Sequence, residues 1–269
     1  MAPTVDVWAQ QPNPLFMSQP WLATLMRWTR QEPAAPPVSK TLEEMDAAGI
    51  DRALLSAWTG PQGVLISNDE TAGYVRDHPD RFAGVASVDL RFPVEAVREL
   101  RRAVLDLGLV ALRVVPWLWN LPPDDRRYYP LFTACVELGI PFCTQIGHTG
   151  PLCPSEPGRP IPYLDTVLLE FPDLVVVGGH VGYPWIDEVI SLATKYPNFY
   201  IDTSAYAVHR LPAALVDYLR NHGRSRVMFG SNWPMLSARR CLEHFETLDL
   251  DNEARGLYLG GNAARVFGL

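Results

Sequence analysis

Lysine and arginine form no run longer than two anywhere in this 269-residue chain, and the formal net charge is −7 with a pI near 5.4. That balance excludes the basic footprint of a nucleic-acid binder and the polybasic face of a protein that docks on anionic lipid. No stretch approaches the roughly 20 uninterrupted apolar residues that a membrane-crossing helix requires. The opening MAPTVDVWAQQPNP has no basic region followed by an apolar one. A soluble, cytoplasmic protein with no nucleic-acid and no membrane partner is the expectation, with a small-molecule ligand and room for a homo-oligomer. Cysteine is scarce: Cys135, Cys143, Cys153 and Cys241 have no C-x-x-C spacing, and a chain of this size needs no disulfide staples, so all four read as reduced thiols. Charged residues make up only 20% against 48% hydrophobic ones, which excludes disorder and supplies a large core. One domain over residues 1–269 is expected, since α/β barrels of about 250 residues routinely form a single unit.

Short β-branched apolar runs alternate with amphipathic segments ten or more residues long, the pattern of repeated βα units. The runs are Val5 to Val7, Ala53 to Leu55, Ala83 to Ser87, Ala111 to Val114, Pro141 to Thr144, Leu174 to Val177, Phe199 to Ile201 and Val227 to Phe229. Eight such units make an α/β fold, a single (β/α)8 TIM-type barrel, the expected class. Thr41-Leu42-Glu43-Glu44 has capping-box spacing and predicts a helix that closes at Gly49. Helices also fit Pro93 to Leu107, Tyr129 to Leu138, Pro162 to Phe171, Trp185 to Lys195 and Pro212 to Asn221, each with Pro near its start or Gly or Pro close after its end. Two loop insertions, about 11–38 and 147–162, resist the rhythm; both follow strands and are candidate lids.

In such a barrel the site is built where strands lead into helices. All eight tryptophans fall there: Trp8, Trp21 and Trp28 after the first strand, Trp58 after the second, Trp117 and Trp119 after the fourth, Trp185 after the sixth and Trp233 after the eighth. They suit a flat, aromatic substrate, and they equally suit the packing of loops onto the rim.

Seven segments, TLEEMDAAGIDRALL, HPDRFAGVASVDL, ELGIPFCTQIGHTG, FPDLVVVGGHVGYPW, YPNFYIDTSAY, RVMFGSNWP and GGNAARVF, occur in order across nearly the whole chain. The set resembles the amidohydrolase-related family that includes aminocarboxymuconate-semialdehyde decarboxylase, resorcylate decarboxylases and pyrone-dicarboxylate lactonase. The resemblance implies the barrel and, in metal-bearing members, a His-x-His after the first strand, a His after the fifth, often a catalytic His after the sixth and an Asp after the eighth. Here Trp8-Ala9-Gln10 replaces the pair, Gln145 aligns with the fifth-strand ligand with His148 three residues on, and Asn232 replaces the Asp. Only His180 keeps its family identity. Neutral amides are poor ligands for Zn2+, so no cofactor and metal-independent chemistry are expected, with a Zn2+ on His148 and His180 as the alternative.

Gln10, Gln145 and Asn232 can instead form one hydrogen-bonding cluster for a carboxylate or carbonyl. His180 reads as a general acid or base with a pKa near neutrality, or as a core histidine. His148 joins it as catalytic or braces its loop, and Asn232 completes the catalytic candidates. Gln10, Trp8, Arg113, Gln145, Trp233 and Tyr183 are the candidate substrate contacts. Arg113 clamps a carboxylate or forms a structural ion pair. Asp202 orients His180 or caps a turn; Asp6 and Tyr206 sit at comparable positions. His78, His209, His222 and His244 are assigned no chemistry. The expected function is hydrolysis of an ester, lactone or amide of a small carboxylated or aromatic compound. A non-hydrolytic decarboxylase (lyase) and a catalytically silent binding barrel are the alternatives.

Overall fold

All eight apolar runs become strands, within two residues of their expected bounds, in the computed structural model, which describes residues 3–29 and 34–269. They are β1 (Val5–Ala9), β2 (Arg52–Ser56), β3 (Phe82–Ala86), β4 (Ala111–Val114), β5 (Phe142–Gln145), β6 (Val176–Gly179), β7 (Phe199–Asp202) and β8 (Val227–Met228). Each pairs in parallel with the next in that order. The ring closes where Val7 N–H donates to the Phe229 carbonyl at 3.1 Å and Ala9 bridges Trp233 in parallel. This is the TIM barrel.

Its interior is apolar at the base, where Val5, Val7, Leu54, Val85, Val177 and Met228 form one buried cluster. Ala263 and Phe267 of the C-terminal helix (Asn262–Phe267) join that cluster beneath the barrel. A close approach holds the helix there: a Cβ on Gly260 would stand 1.7 Å from the Pro3 carbonyl oxygen, just ahead of β1. A larger cluster fills the layer between strands and outer helices, where alternate strand residues such as Leu55, Leu112 and Phe142 meet Leu100, Leu131 and Leu192.

The helix after the first insertion spans Val38–Ala48 and starts a turn before the expected cap. Thr41 is inside it, its hydroxyl donating to Gln11 Oε1 at 2.6 Å and accepting from the Trp233 indole at 2.9 Å. Tertiary partners thus claim the hydroxyl that the sequence pattern assigns to capping, while Gly49 does close the helix at φ 68°. A hairpin (Trp58–Gly60 with Gly63–Ile66) and a helix (Asn68–Asp77) opened by a Ser67/Glu70 capping box lie between β2 and β3. The first insertion carries short helices at Pro14–Met17 and Leu22–Thr29. It packs Phe16, Met17, Leu22 and Met26 against Trp58, Ile66 and Met235 as a third buried cluster over the barrel. The second contains one 3-10 turn, Glu156–Gly158, tied down by Gly147 N–H to the Gly158 carbonyl at 2.8 Å. Among the described residues no helix is long and apolar enough to cross a membrane.

Candidate functional site

Above the C-terminal ends of the strands lies a cavity of about 510 Å3, within the size range of small-molecule sites. Gln10, Gln145, His148, His180 and Asn232 line it, so the barrel brings together five of the nine candidate residues. Aromatic side chains from the β1, β2 and β4 loops form one part of its wall, and Tyr206, His209, Arg210, Arg240 and Glu243 from the β7 and β8 loops form another.

The amides have fixed orientations. Gln10 donates its Nε2 to the Trp233 carbonyl, leaving Oε1 buried with no partner among the described residues. Gln145 Oε1 accepts from the Trp117 indole at 2.7 Å. An indole N–H is donor only, so the Gln145 carbonyl must face it and the amide NH2 is left for other partners. Gln10 Oε1 is therefore an unpartnered but enclosed acceptor, and the Gln145 amide is an unspent donor at the floor. Asn232 has φ 88°; its backbone N–H donates to the Trp8 carbonyl at 2.8 Å, and its own carbonyl accepts from Met235 at 2.9 Å. That backbone bracing sets its side chain at the cavity.

His180 and Val181 follow β6 with φ 70° and 65°. A β-branched residue there is a strained conformation that the surroundings must enforce, and such strain clusters at functional sites. His180 Nδ1 lies 2.6 Å from Ser204 Oγ, which also accepts from the His180 backbone N–H at 3.2 Å. Ser204 in turn hydrogen-bonds the Asp202 carboxyl, its N–H to Oδ1 at 2.8 Å and its hydroxyl to the same group. Burial, then the nearby Arg113 charge and His148, push the His180 imidazole down to about 3. The expected near-neutral pKa is thus corrected: His180 is uncharged at physiological pH.

Beneath His180 the Trp8 ring stands 4.7 Å away, and under that ring lies the Arg113 guanidinium, 3.8 Å from its centroid. Trp8 ends in β1 rather than after it and fills the barrel centre; a Cβ on Gly179 would stand 2.3 Å from its ring. Arg113 is 2% exposed, donates to the Val7 carbonyl at 2.9 Å and does not line the cavity. Its candidate role as a carboxylate clamp is corrected for that reason. Its electrostatic neighbours are Asp202 and Asp6. Burial raises both carboxyls to about 6, against the hydrogen bonds that each receives from the backbone and from Ser231 or Ser204. Trp8, Trp233 and Tyr183 are likewise outside the lining. Trp233 donates its indole to Thr41, and Tyr183 is 52% exposed, edge-on to His148 at 5.8 Å. The side chain of Trp28 lies outside the described residues.

Sequence reasoning did not name Arg210, Arg240 or Ser204, and His209, to which it assigned no chemistry, lies in the lining. The two arginines make no ion pair among the described residues and stand exposed at the mouth, so with Glu243 as the one acid beside them they, rather than Arg113, leave the lining net positive. Ser204 had one signal, the YIDTSAY segment, where it stands two residues from Asp202.

A γ-resorcylate decarboxylase of Rhodococcus jostii is 27% identical over 256 residues, covering 76% of this chain and 75% of the relative. A TIM-barrel protein of Bordetella bronchiseptica, Bb4693, superposes with TM-score 0.83 at 28% identity, covering 98% of each chain. A dihydroxybenzoic acid decarboxylase of Polaromonas sp. JS666, solved with bound manganese and 2-nitroresorcinol, superposes with TM-score 0.73 at 20% identity over 100% of this chain and 98% of that one. The hydrolytic expectation is overturned by the two decarboxylases among these relatives. The expectation of no cofactor is overturned by the manganese in the solved neighbour. The donors of this chain nevertheless do not match such an ion: the strand-end positions carry Gln10, Gln145 and Asn232 beside one imidazole, and no three His, Cys, Asp or Glu converge among the described residues. Neutral amides bind divalent transition metals weakly, so these positions do not fit that ion. The sequence profile of the amidohydrolase family matches residues 5–269, and this chain belongs to that family.

Proposed function

We propose that this protein is a non-oxidative decarboxylase of a hydroxylated aromatic carboxylic acid. The observation that carries the reading is the polarity of the cavity floor: an unspent amide donor on Gln145 and an uncharged imidazole, His180, that can accept, with Gln10 and Asn232 beside them in the lining. A ring bearing a hydroxyl and a carboxylate supplies the matching donor and acceptor, and Arg210 and Arg240 at the mouth draw an anion in. The relatives' chemistry supports the same class. The four cysteines, all free, suit a reducing cytoplasm.

In this reading His180 acts through Nε2, since Nδ1 is engaged by Ser204. It takes the phenolic proton as a base and returns it, from an imidazolium that is a strong acid, to the ring carbon bearing the carboxylate. The carbon–carbon bond then breaks, carbon dioxide leaves, and the electron pair restores the aromatic ring as a phenolate that solvent reprotonates. The net change is one carboxylate plus one proton converted to carbon dioxide and a C–H bond. Incubating the protein with a panel of ortho-hydroxy aromatic carboxylates in D2O tests this. Carbon dioxide released in step with deuterium at the vacated carbon is expected; turnover of esters or lactones without carbon dioxide would refute it.

A further inference from the structure

We infer that the aromatic wall of the cavity is a subsite for a second ring, so the acid this protein takes is a two-ring carboxylated aromatic rather than a single-ring benzoate. The inference rests on the decarboxylase reading for the identity of the acid head alone.

Four rings from three loops form the wall. Trp21 stacks on Trp58 with centroids 5.8 Å apart and planes inclined by 22°. Phe16 meets Trp58 edge-on at 5.1 Å, and Trp21 meets Trp117 edge-on at 5.1 Å. All four line the cavity, and Leu22 and Leu25 extend the apolar surface. Trp117 joins this wall to the polar floor, because its indole N–H holds the Gln145 carbonyl at 2.7 Å. A carboxylate or hydroxyl seated on the Gln145 amide therefore has the rest of its molecule beside Trp117 and Trp21. The cavity volume, about 510 Å3, lies well inside the roughly 300–1,000 Å3 that enclose drug-sized ligands, which leaves space beyond a benzoate head. Trp21 and Trp117 are half-buried and give that space its ring surface, with Phe16 and Trp58 buried behind them.

The competing account is that these rings only pack the first insertion onto the barrel. The two accounts differ in a ratio of affinities. Salicylate and 1-hydroxy-2-naphthoate share the same hydroxy-acid head and differ by one fused ring, and calorimetric titration of the wild-type protein with both gives the ratio directly. The naphthoate should bind on the order of tenfold more tightly, the size of one favourable aromatic pairing with its burial. Trp21→Ala should bring the ratio near one, and Trp21→Phe, which keeps a ring there, should restore most of it. Equal affinities in the wild type, or a ratio that survives Trp21→Ala, would overturn the subsite, as would failure of every ligand to bind. The corresponding amides separate this from the acid reading. If salicylamide and 1-hydroxy-2-naphthamide bind as tightly as the acids and keep the tenfold ratio, the carboxylate assignment fails and the second-ring subsite stands.

Discussion

Two layers of this barrel meet at the Trp8 ring, and they are built on opposite electrostatic terms. Below it Arg113, Asp6 and Asp202 are enclosed by protein, and Arg113 Nε and Nη1, Trp8 Nε1 and Asp202 Oδ2 have no hydrogen-bond partner among the described residues. Above it, Gln10, Gln145, Asn232 and His180 are all uncharged and face a cavity. The lower layer holds charge that no ligand reaches; the upper layer reaches a ligand and holds its charge at the rim, on Arg210, Arg240 and Glu243. Charge buried in a barrel is therefore no guide to where a substrate anion binds. The separation also accounts for His180: its imidazole is kept neutral partly by the Arg113 cation beneath it.

Removing the cation should break the lower layer first. Arg113→Met removes the cation whose charge acts on the two buried carboxyls, together with its bond to the Val7 carbonyl and its packing on Trp8, and should cost roughly 3 kcal/mol, read as a lower urea midpoint. A variant as stable as wild type would mean that Asp6 and Asp202 are already protonated and indifferent to Arg113. The same layer makes a pH prediction. Both carboxyls are raised from 3.8 to about 6 in the folded protein, so the folded state binds the protons more tightly than the unfolded one. Their contribution to stability is complete below about pH 4 and is lost as pH rises through about 6. The thermal midpoint should fall from pH 5 to pH 7 and then level, and Asp202→Asn should flatten that fall.

In the upper layer His180→Asn should lower kcat by about 100-fold or more, as for loss of a general acid or base, with the urea midpoint nearly unchanged. Because the imidazole is uncharged above about pH 3, kcat/KM should show no His180 titration between pH 5 and 8. A bell centred near neutrality would show that the free protein holds His180 in a more exposed, charged state than this packing implies.

Asn232→Asp places a second negative charge where an anionic ligand binds. Two like charges about 4 Å apart at an effective dielectric near 20 repel by roughly 4 kcal/mol, but this cavity opens to solvent and screening reduces the effect. About a tenfold loss of affinity for the acid, and less for its amide, is expected. Equal losses for both would place Asn232 away from the carboxylate.

The barrel was legible in the sequence because strand and helix periodicities, Gly49 and the ordered family segments all point one way. Gln10, Gln145 and Asn232 were picked out because the family's ligand positions align with them at strand ends, and all three line the cavity. Arg113 was misread since a strand position tells that a side chain enters the barrel but not how deep it lies, and here Trp8 roofs it over. Arg210 and Arg240 went unnamed and His209 was assigned no chemistry because they follow β7 and β8 by several residues, where loop path rather than strand register decides direction. The pKa of His180 depends on burial and on two charges distant in sequence, which no local pattern reports.

The smallest effect expected is that of Ser204→Ala, and it tests how the two layers communicate. Ser204 Oγ touches His180 twice, at Nδ1 and at the backbone N–H, and the same hydroxyl reaches the Asp202 carboxyl. With the serine proton directed to Asp202, Nδ1–H donates to Oγ and Nε2 presents its lone pair to the cavity, the tautomer that a base requires. Alanine removes the one side-chain oxygen at Nδ1 among the described residues, but leaves the imidazole, its neutral state and the cavity in place. One hydrogen bond of this kind is worth about 1 kcal/mol, so kcat should fall roughly fivefold while KM stays near its wild-type value. Ser204→Thr, which keeps the hydroxyl, should recover most of the loss. A fall in KM-linked affinity instead, or no recovery with threonine, would mean that Ser204 merely packs the β7 loop and that Asp202 acts on Arg113 alone.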